Sequence, residues 1–361
     1  MKKTLAAVAV LGAFAGSAFA ADVTLYGRID GGFQYNDNNI DVSGPVKGSF
    51  DESSFKMGSG QSTGSRFGLK GTEEISEGFK VGFVLEHGFN FDNGGYGDTD
   101  RMFNREATLQ LISDNYGTLA LGRVGSIKSD AGSFGFYAAA VNPFGTGWSE
   151  IPGVAGGIFA AADTRYDNTV TYKSPTFAGT TVYAQYSMGG NDDDEMTHQA
   201  DRYAALGVNF VAGNLNLAAV VDWKDEGVSA NPKLEHASLV DTTDREDEYT
   251  FNVGGSYDFG VAKTYLAAQY YKGANDVAGA VGVLTDLDEF DLGWKGEEKP
   301  STDGKAPTYR TDATFADYVD DLEGYAVALG ADVPAFGGNF LVSLAYSDGE
   351  EQNYKADVTA Y

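Results

Sequence analysis

The chain contains no cysteine. A secreted protein without disulfides must draw its stability from backbone pairing and packing. Proline is scarce, eight in 361 residues, so long strands can run without interruption. Histidine occurs only at His87, His198 and His236. These lie in separate segments, with no second ligand at metal spacing and no triad partner, which argues against zinc and against histidine-based catalysis. No phosphate-binding or dinucleotide motif is present, so no cofactor and no enzymatic activity are expected. Asp98-Thr99-Asp100 carries acids of a calcium loop but not its Gly and Glu positions, and reads as a plain turn. Basic residues are outnumbered, 25 Lys and Arg against 52 Asp and Glu. The formal charge of −27 excludes nucleic acid as a partner, because that partner requires a basic footprint. After the first twenty residues no run of even fifteen is continuously apolar, so no spanning helix is expected.

The first twenty residues have their own pattern. Lys2 and Lys3 are a basic start, Leu5 to Phe14 an apolar stretch, and Ala18-Phe19-Ala20 a small-x-small cleavage site. Residues 1–20 therefore read as a secretory signal, with the mature chain starting at Ala21. The rest, 21–361, shows no linker and no change of pattern, and is read as one domain.

What fills that domain is alternation. In 248–259, Tyr249, Phe251, Val253, Tyr257 and Phe259 share one face, and Glu248, Thr250, Asn252, Ser256 and Asp258 the other. A strand of about ten residues with one oily and one polar face suits a transmembrane antiparallel β-barrel, with lipid outside and water inside. The composition agrees: 48 glycines, and 13% aromatics to ring the two interfaces. A soluble β-sandwich would alternate too, but has no use for aromatic girdles.

Thirteen strands are expected near 22–35, 62–73, 79–91, 102–113, 117–124, 165–174, 180–188, 202–211, 214–224, 248–259, 261–272, 323–333 and 339–347, with a fourteenth starting near Lys355. Short Gly-bearing turns alternate with long connections at 36–61, 92–101, 126–164, 190–201, 225–247, 274–322 and 348–354. Parity puts Val23, Leu25, Ile29, Phe33, Tyr35, Phe67, Leu69, Tyr166, Val170 and Tyr172 towards lipid. It puts Thr24, Arg28, Asp30, Gln34, Arg66, Lys70, Asp167, Thr169, Thr171 and Lys173 in the lumen. Arg123 shares parity with Leu119 and Leu121; a bulge at Gly122, or a place at the strand end, would turn it inward.

Five blocks carry a recognisable pattern. They are Val23-Thr24-Leu25-Tyr26-Gly27-Arg28-Ile29-Asp30, Ser65-Arg66-Phe67-Gly68-Leu69-Lys70-Gly71-Thr72-Glu73-Glu74, Phe103-Asn104-Arg105-Glu106-Ala107, Gly117-Thr118-Leu119-Ala120-Leu121-Gly122-Arg123 and Arg165 to Pro175. In this order and spacing they resemble the Gram-negative general porins, most closely the β-proteobacterial type. The resemblance implies a sixteen-stranded barrel, a homotrimer in the outer membrane among its lipid and lipopolysaccharide, and passive diffusion of ions and small hydrophilic solutes. It implies that the 126–164 connection folds into the lumen as a constriction loop. It implies basic wall residues at Arg28, Arg66, Arg123 and Lys173, facing the loop acids Asp130, Glu150 and Asp163, with Asp30 and Lys70 also lumenal.

One departure stands out. Such barrels end on an apolar-alternating strand with a terminal Phe, whereas Tyr354 to Tyr361 puts Lys355, Asp357 and Thr359 at the alternate positions before Tyr361. With thirteen or fourteen strands instead of sixteen, the expectation is a chain missing its last two or three strands. A substrate-selective porin and a surface adhesin or binding barrel remain as other readings; cation preference is expected, with the constriction and not the net charge as its main determinant.

Overall fold

A computed structural model describes residues 22–42, 48–60, 63–98, 100–144, 159, 165–189, 202–225, 247–274, 322–351 and 357–360. Residues 1–20, Glu150, Asp163, His198, His236 and most of the long connections lie outside these residues.

The chain folds as one meander. β1 (Asp22–Arg28) and β2 (Gly31–Val42) are successive parts of one strand, and β3 (Gly48–Ser59) and β4 (Arg66–Ser76) form its partner. β5 (Phe79–Gly88), β6 (Glu106–Ser113) and β7 (Gly117–Gly125) follow, then a one-turn helix α1 (Tyr137–Val141). The second half comprises β8 (Arg165–Lys173), β9 (Thr180–Ser187), β10 (Arg202–Ala212), β11 (Leu215–Asp225), β12 (Glu248–Asp258), β13 (Lys263–Ala274), β14 (Leu322–Ala335), β15 (Gly338–Glu351) and β16 (Asp357–Ala360). β1 and β4 to β16 make a 14-stranded sheet in which each strand pairs antiparallel with the next. β1 and β16 are its edges among the described residues. Among those residues no helix is long and apolar enough to cross a membrane.

The expected strands are all present, the fourteenth as β16. The 36–61 connection differs. Most of it is ladder: β2 and β3 pair without a break from Gly31↔Ser59 to Val42↔Gly48. Asn36-Asp37-Asn38-Asn39 has no apolar face, so periodicity could not reveal a strand there. The hairpin leaves the main sheet at Asp30, whose carbonyl accepts the Gly60 amide at 2.9 Å and the Ser65 hydroxyl at 3.0 Å. Phe91 packs against Gly31, where a β-carbon would sit 1.8 Å from its ring.

The burial pattern is that of a soluble protein turned inside out. Leu109, Leu111, Leu119, Leu121, Leu206, Phe251, Leu266 and Leu329 are exposed on the outer face. Thr108, Gln110, Thr169, Thr171, Gln185, Thr250, Asn252 and Gln269 are buried on the inner one. Water does not tolerate so broad an apolar surface, while lipid does. Eleven-residue strands such as β10, β11 and β12 extend for about 36 Å, enough to cross a hydrocarbon core when tilted by about 45°.

Outward aromatics collect at both ends. Phe79, Tyr116, Phe177, Tyr257, Phe259, Phe336 and Phe340 flank the short turns. Tyr186, Tyr249, Tyr270, Tyr325 and Tyr346 flank the long connections. The turns themselves are tight. Ala178-Gly179 (φ 48° and 81°) and Phe336-Gly337 (φ 53° and 81°) are two-residue hairpin loops with both residues left-handed, the geometry that matches strand twist.

Candidate functional site: the inner wall and its inserted segment

The connection after β7 does not leave the sheet. Residues 126–144 turn back along the inner face, and Ile127, Phe134, Phe136, Tyr137, Ala140 and Val141 are buried there with Phe159. The wall beneath them is small: Ala205, Ala218, Ala267, Ala326 and Ala328 join the same cluster. Glycines complete the seat. A β-carbon on Gly207 would lie 2.7 Å from Phe136 Cζ, one on Gly254 2.8 Å from Val141 Cγ1, and one on Gly330 2.6 Å from Pro143 Cδ. Phe136 stacks on Tyr183 at 4.2 Å, and Tyr166 on Tyr203 at 3.9 Å. Apolar side chains on the segment and missing side chains on the wall thus make one interlocking surface.

Polar ties fix the segment at both sides. On β6, Glu106 is 1% exposed. Its Oε1 accepts the Ser133 hydroxyl at 2.7 Å and the Thr108 hydroxyl at 2.9 Å, and its Oε2 the Ser133 amide at 2.9 Å. On β11, Asp222 Oδ2 meets Lys128 Nζ at 2.9 Å and accepts the Tyr203 hydroxyl at 3.1 Å. Thr250 donates to Asp222 Oδ1 and accepts from Lys128. Between these ties, Gln185 Oε1 accepts the Ile127 amide at 3.1 Å, and Tyr137 donates to the Val253 carbonyl at 3.2 Å. Burial, with the charge of Asp222 nearby, pushes the Tyr137 phenol above its ordinary range, so it stays a neutral donor.

A second cluster lines β1 and β4 to β6. Arg28 and Arg66 sit directly opposite each other in the β1–β4 register. Glu86 accepts from Arg105 Nε at 2.8 Å and from the Tyr26 hydroxyl at 2.9 Å, with Arg66 Nη1 at 3.5 Å. Arg66 also donates to Thr63. Tyr26 reaches Glu86 by crossing Gly68, where a β-carbon would lie 2.7 Å from the phenol ring. Lys70 lies 5.4 Å from the centre of that ring.

A polar, curved inner wall that carries its own folded-in connection is the geometry of a channel with a constriction. The comparisons agree. The Gram-negative porin family model matches residues 6–361. The chain belongs to that family. An outer membrane porin protein of Bordetella pertussis is 38% identical over 280 residues, covering 74% of this chain and 69% of its own. Outer membrane porin protein 32 of Delftia acidovorans is 30% identical over 286 residues, covering 78% and 73%. Among solved structures, the anion-selective porin from Comamonas acidovorans superposes with TM-score 0.54 at 21% identity, covering 94% of this chain and 82% of its own. An OmpF porin from Salmonella typhi gives 0.50 at 13%, covering 93% and 82%. These two likenesses bear on the fold, an antiparallel β-barrel. The protein is an outer-membrane porin, a passive channel for small solutes, in a family of channels and not of enzymes.

The porin's expected wall residues fall into two groups. Arg28, Arg66, Lys70 and Lys173 keep inward parity, and Lys173 lies 5.6 Å from the centre of the Tyr183 ring. Asp30 is half-buried at the hairpin pivot, and Asp130 half-buried within the inserted segment.

Arg123 takes another place. Its register to β6, Ala107↔Arg123 after Leu109↔Leu121, keeps it on the outward face. A bulge does lie beside Gly122, but its extra residue is across the ladder on β8 and does not turn Arg123 inward. Gly122↔Thr169 is followed by Val124↔Tyr166, so Asp167 and Asn168 together oppose Arg123, with Asn168 left-handed at φ 51°. The slip reverses parity below it. Tyr166, expected to face lipid, turns inward onto Tyr203. Asp167, expected in the lumen, instead pairs with Arg123 Nη1 at 2.6 Å and with Arg101 at 3.1 Å. Arg101 also bonds Asp98 at 3.3 Å, and the Asp100 amide, with Arg101 beside it, holds the Asp98 carboxyl below its usual range.

The sequence pattern did not single out five charged groups: Glu86, Arg105, Glu106, Lys128 and Asp222. Inward parity at Glu86, Glu106 and Asp222 would have flagged the three acids. Lys128 carries no such signal, because parity stops where the strand ends.

Proposed function

We propose that this porin is a general diffusion channel whose aperture is set by the 126–144 segment and whose solute preference is set by the basic wall of β1 and β4 to β6. The observation that carries this reading is the burial of the segment against the inner face, which leaves a fixed obstruction in an otherwise polar lumen. In the cluster around Glu86, Arg28, Arg66, Lys70 and Arg105 outnumber Glu86 and Glu106, and Arg28 and Lys70 are the cluster's exposed cations. Such a wall attracts anions, against the cation preference expected from the sequence. The Comamonas porin is itself named anion-selective, which supports the same direction.

Lys173 extends the basic lining, and Asp130, Glu150 and Asp163 supply the opposing acids of the connection. The chain is exported by its first twenty residues, cleaved after Ala20, and assembles as a homotrimer among outer-membrane lipid and lipopolysaccharide. Planar-bilayer recording in a KCl gradient tests this. Ohmic steps in groups of three with a reversal potential of anionic sign are expected. Exchanging Arg28 and Arg66 for Ala should move that potential towards zero. A cationic sign in the unaltered protein would remove the wall from control of selectivity.

A further inference from the structure

The inserted segment is held to the wall by more than apolar contact. Lys128 and Asp222, 9% and 2% exposed at the side chain, form an ion pair between the segment and the far wall. The wall site is built before Lys128 arrives: Asp222 is held by the Tyr203 and Thr250 hydroxyls, Thr250 takes a bond from Asn252 at 2.7 Å, and Asn252 one from Gln269 at 2.8 Å. A polar track therefore runs across β11, β12 and β13 beneath the segment. The apolar seat around it fits the segment by shape, through contacts that carry no direction of their own. A buried charge pair resists displacement, since a displaced partner is left uncompensated in a site closed to solvent.

We infer that Lys128 and Asp222 act as a positioning pair, the pin that sets where the inserted segment lies across the lumen and so how wide and how uniform the aperture is. The inference rests on the channel reading. Lys128 stands three residues past the end of β7, so a shift there moves everything that follows, α1 included. Asp222 stands on a paired strand and cannot follow. The pin is a point contact at the root of the segment, and the seat of Phe136 and Val141 only fills the space beyond it. On the other side, Glu106 holds the segment through the hydroxyl and the backbone amide of Ser133, a tie of neutral donors five residues further along than Lys128.

The test uses the full chain folded into detergent and then into planar bilayers, with Lys128→Met, Asp222→Asn, Thr250→Val and the exchanged pair Lys128→Asp with Asp222→Lys. Heat-resistant electrophoretic mobility reports whether the barrel has formed. Conductance, its spread between channels and the polyethylene glycol exclusion size report the aperture. Lys128→Met and Asp222→Asn are expected to form barrels whose conductances spread at least about twofold more widely and whose exclusion size rises. The exchanged pair, which keeps the summed side-chain length, should narrow the spread again; a merely structural contact would not be rescued by inversion. Thr250→Val removes one hydroxyl from the site and should give part of the effect, and it decides the matter even where Lys128→Met does not fold. Wild-type conductance, spread and exclusion size in Thr250→Val or in Lys128→Met would overturn the inference. Silence from the folded unaltered protein would instead strike the channel reading itself.

Discussion

Gly207 offers a way to lift the inserted segment without touching the barrel. All three atoms nearest to its absent β-carbon belong to the segment: Phe136 Cζ at 2.7 Å, Phe136 Cε1 at 2.9 Å and Ile127 Cδ1 at 3.2 Å. An alanine there would push Phe136 back by about 0.7 Å to reach ordinary contact. A valine adds two further methyl groups and cannot be accommodated with Phe136 in its stack on Tyr183. Overpacking of this kind costs about 1–3 kcal/mol. The strand does not share that cost, since valine suits a strand better than glycine by up to about 1 kcal/mol. The whole penalty falls on docking, and the undocked fraction should rise by about 5- to 150-fold. Single-channel recording reads this as open-channel noise and sub-levels, with a larger exclusion size. Heat-resistant mobility should be unaltered, and Phe136→Ala in the Gly207→Val background should not add to the effect. Quiet channels of normal conductance from Gly207→Val would refute the docking of Phe136 on β10.

Other outcomes follow from the same geometry. Arg123→Ala and Asp167→Asn should each lower unfolding stability by about 1–2 kcal/mol in a detergent titration, because partly buried charged hydrogen bonds are lost, and should leave the reversal potential unmoved; a shifted potential would return Arg123 to the lumen. Leu121→Arg puts a charge on the lipid face, and should cost about 2–4 kcal/mol of folding into bilayers if the position lies near mid-depth, measured by urea titration in vesicles. Phe336→Asn relieves a left-handed non-glycine turn residue, φ 53°, and should raise the detergent unfolding midpoint by an amount near 1 kcal/mol; an unchanged midpoint would mean that the turn carries no strain.

A membrane barrel was legible in the amino-acid order because lipid and water lie on opposite sides of every strand. Period-two alternation records that contrast residue by residue, so thirteen strands and the aromatic girdles could be read from side-chain chemistry alone. The β2–β3 ribbon was not, since its Asn- and Asp-rich arm carries no apolar–polar alternation in its sequence. The barrel, the polar lumen and the inward parity of Arg28, Arg66 and Lys70 thus belong to the sequence.

Tertiary structure decided the rest. One extra residue at Asn168 moved Asp167 to the outer face, beside Arg123, and brought Tyr166 inside, because a bulge reverses parity without altering composition. The seat of Phe136 on Gly207, and of Lys128 on Asp222, joins residues 71 and 94 positions apart in the chain. No local pattern encodes such pairs. They exist only where the curved wall brings β10 and β11 under the returning segment.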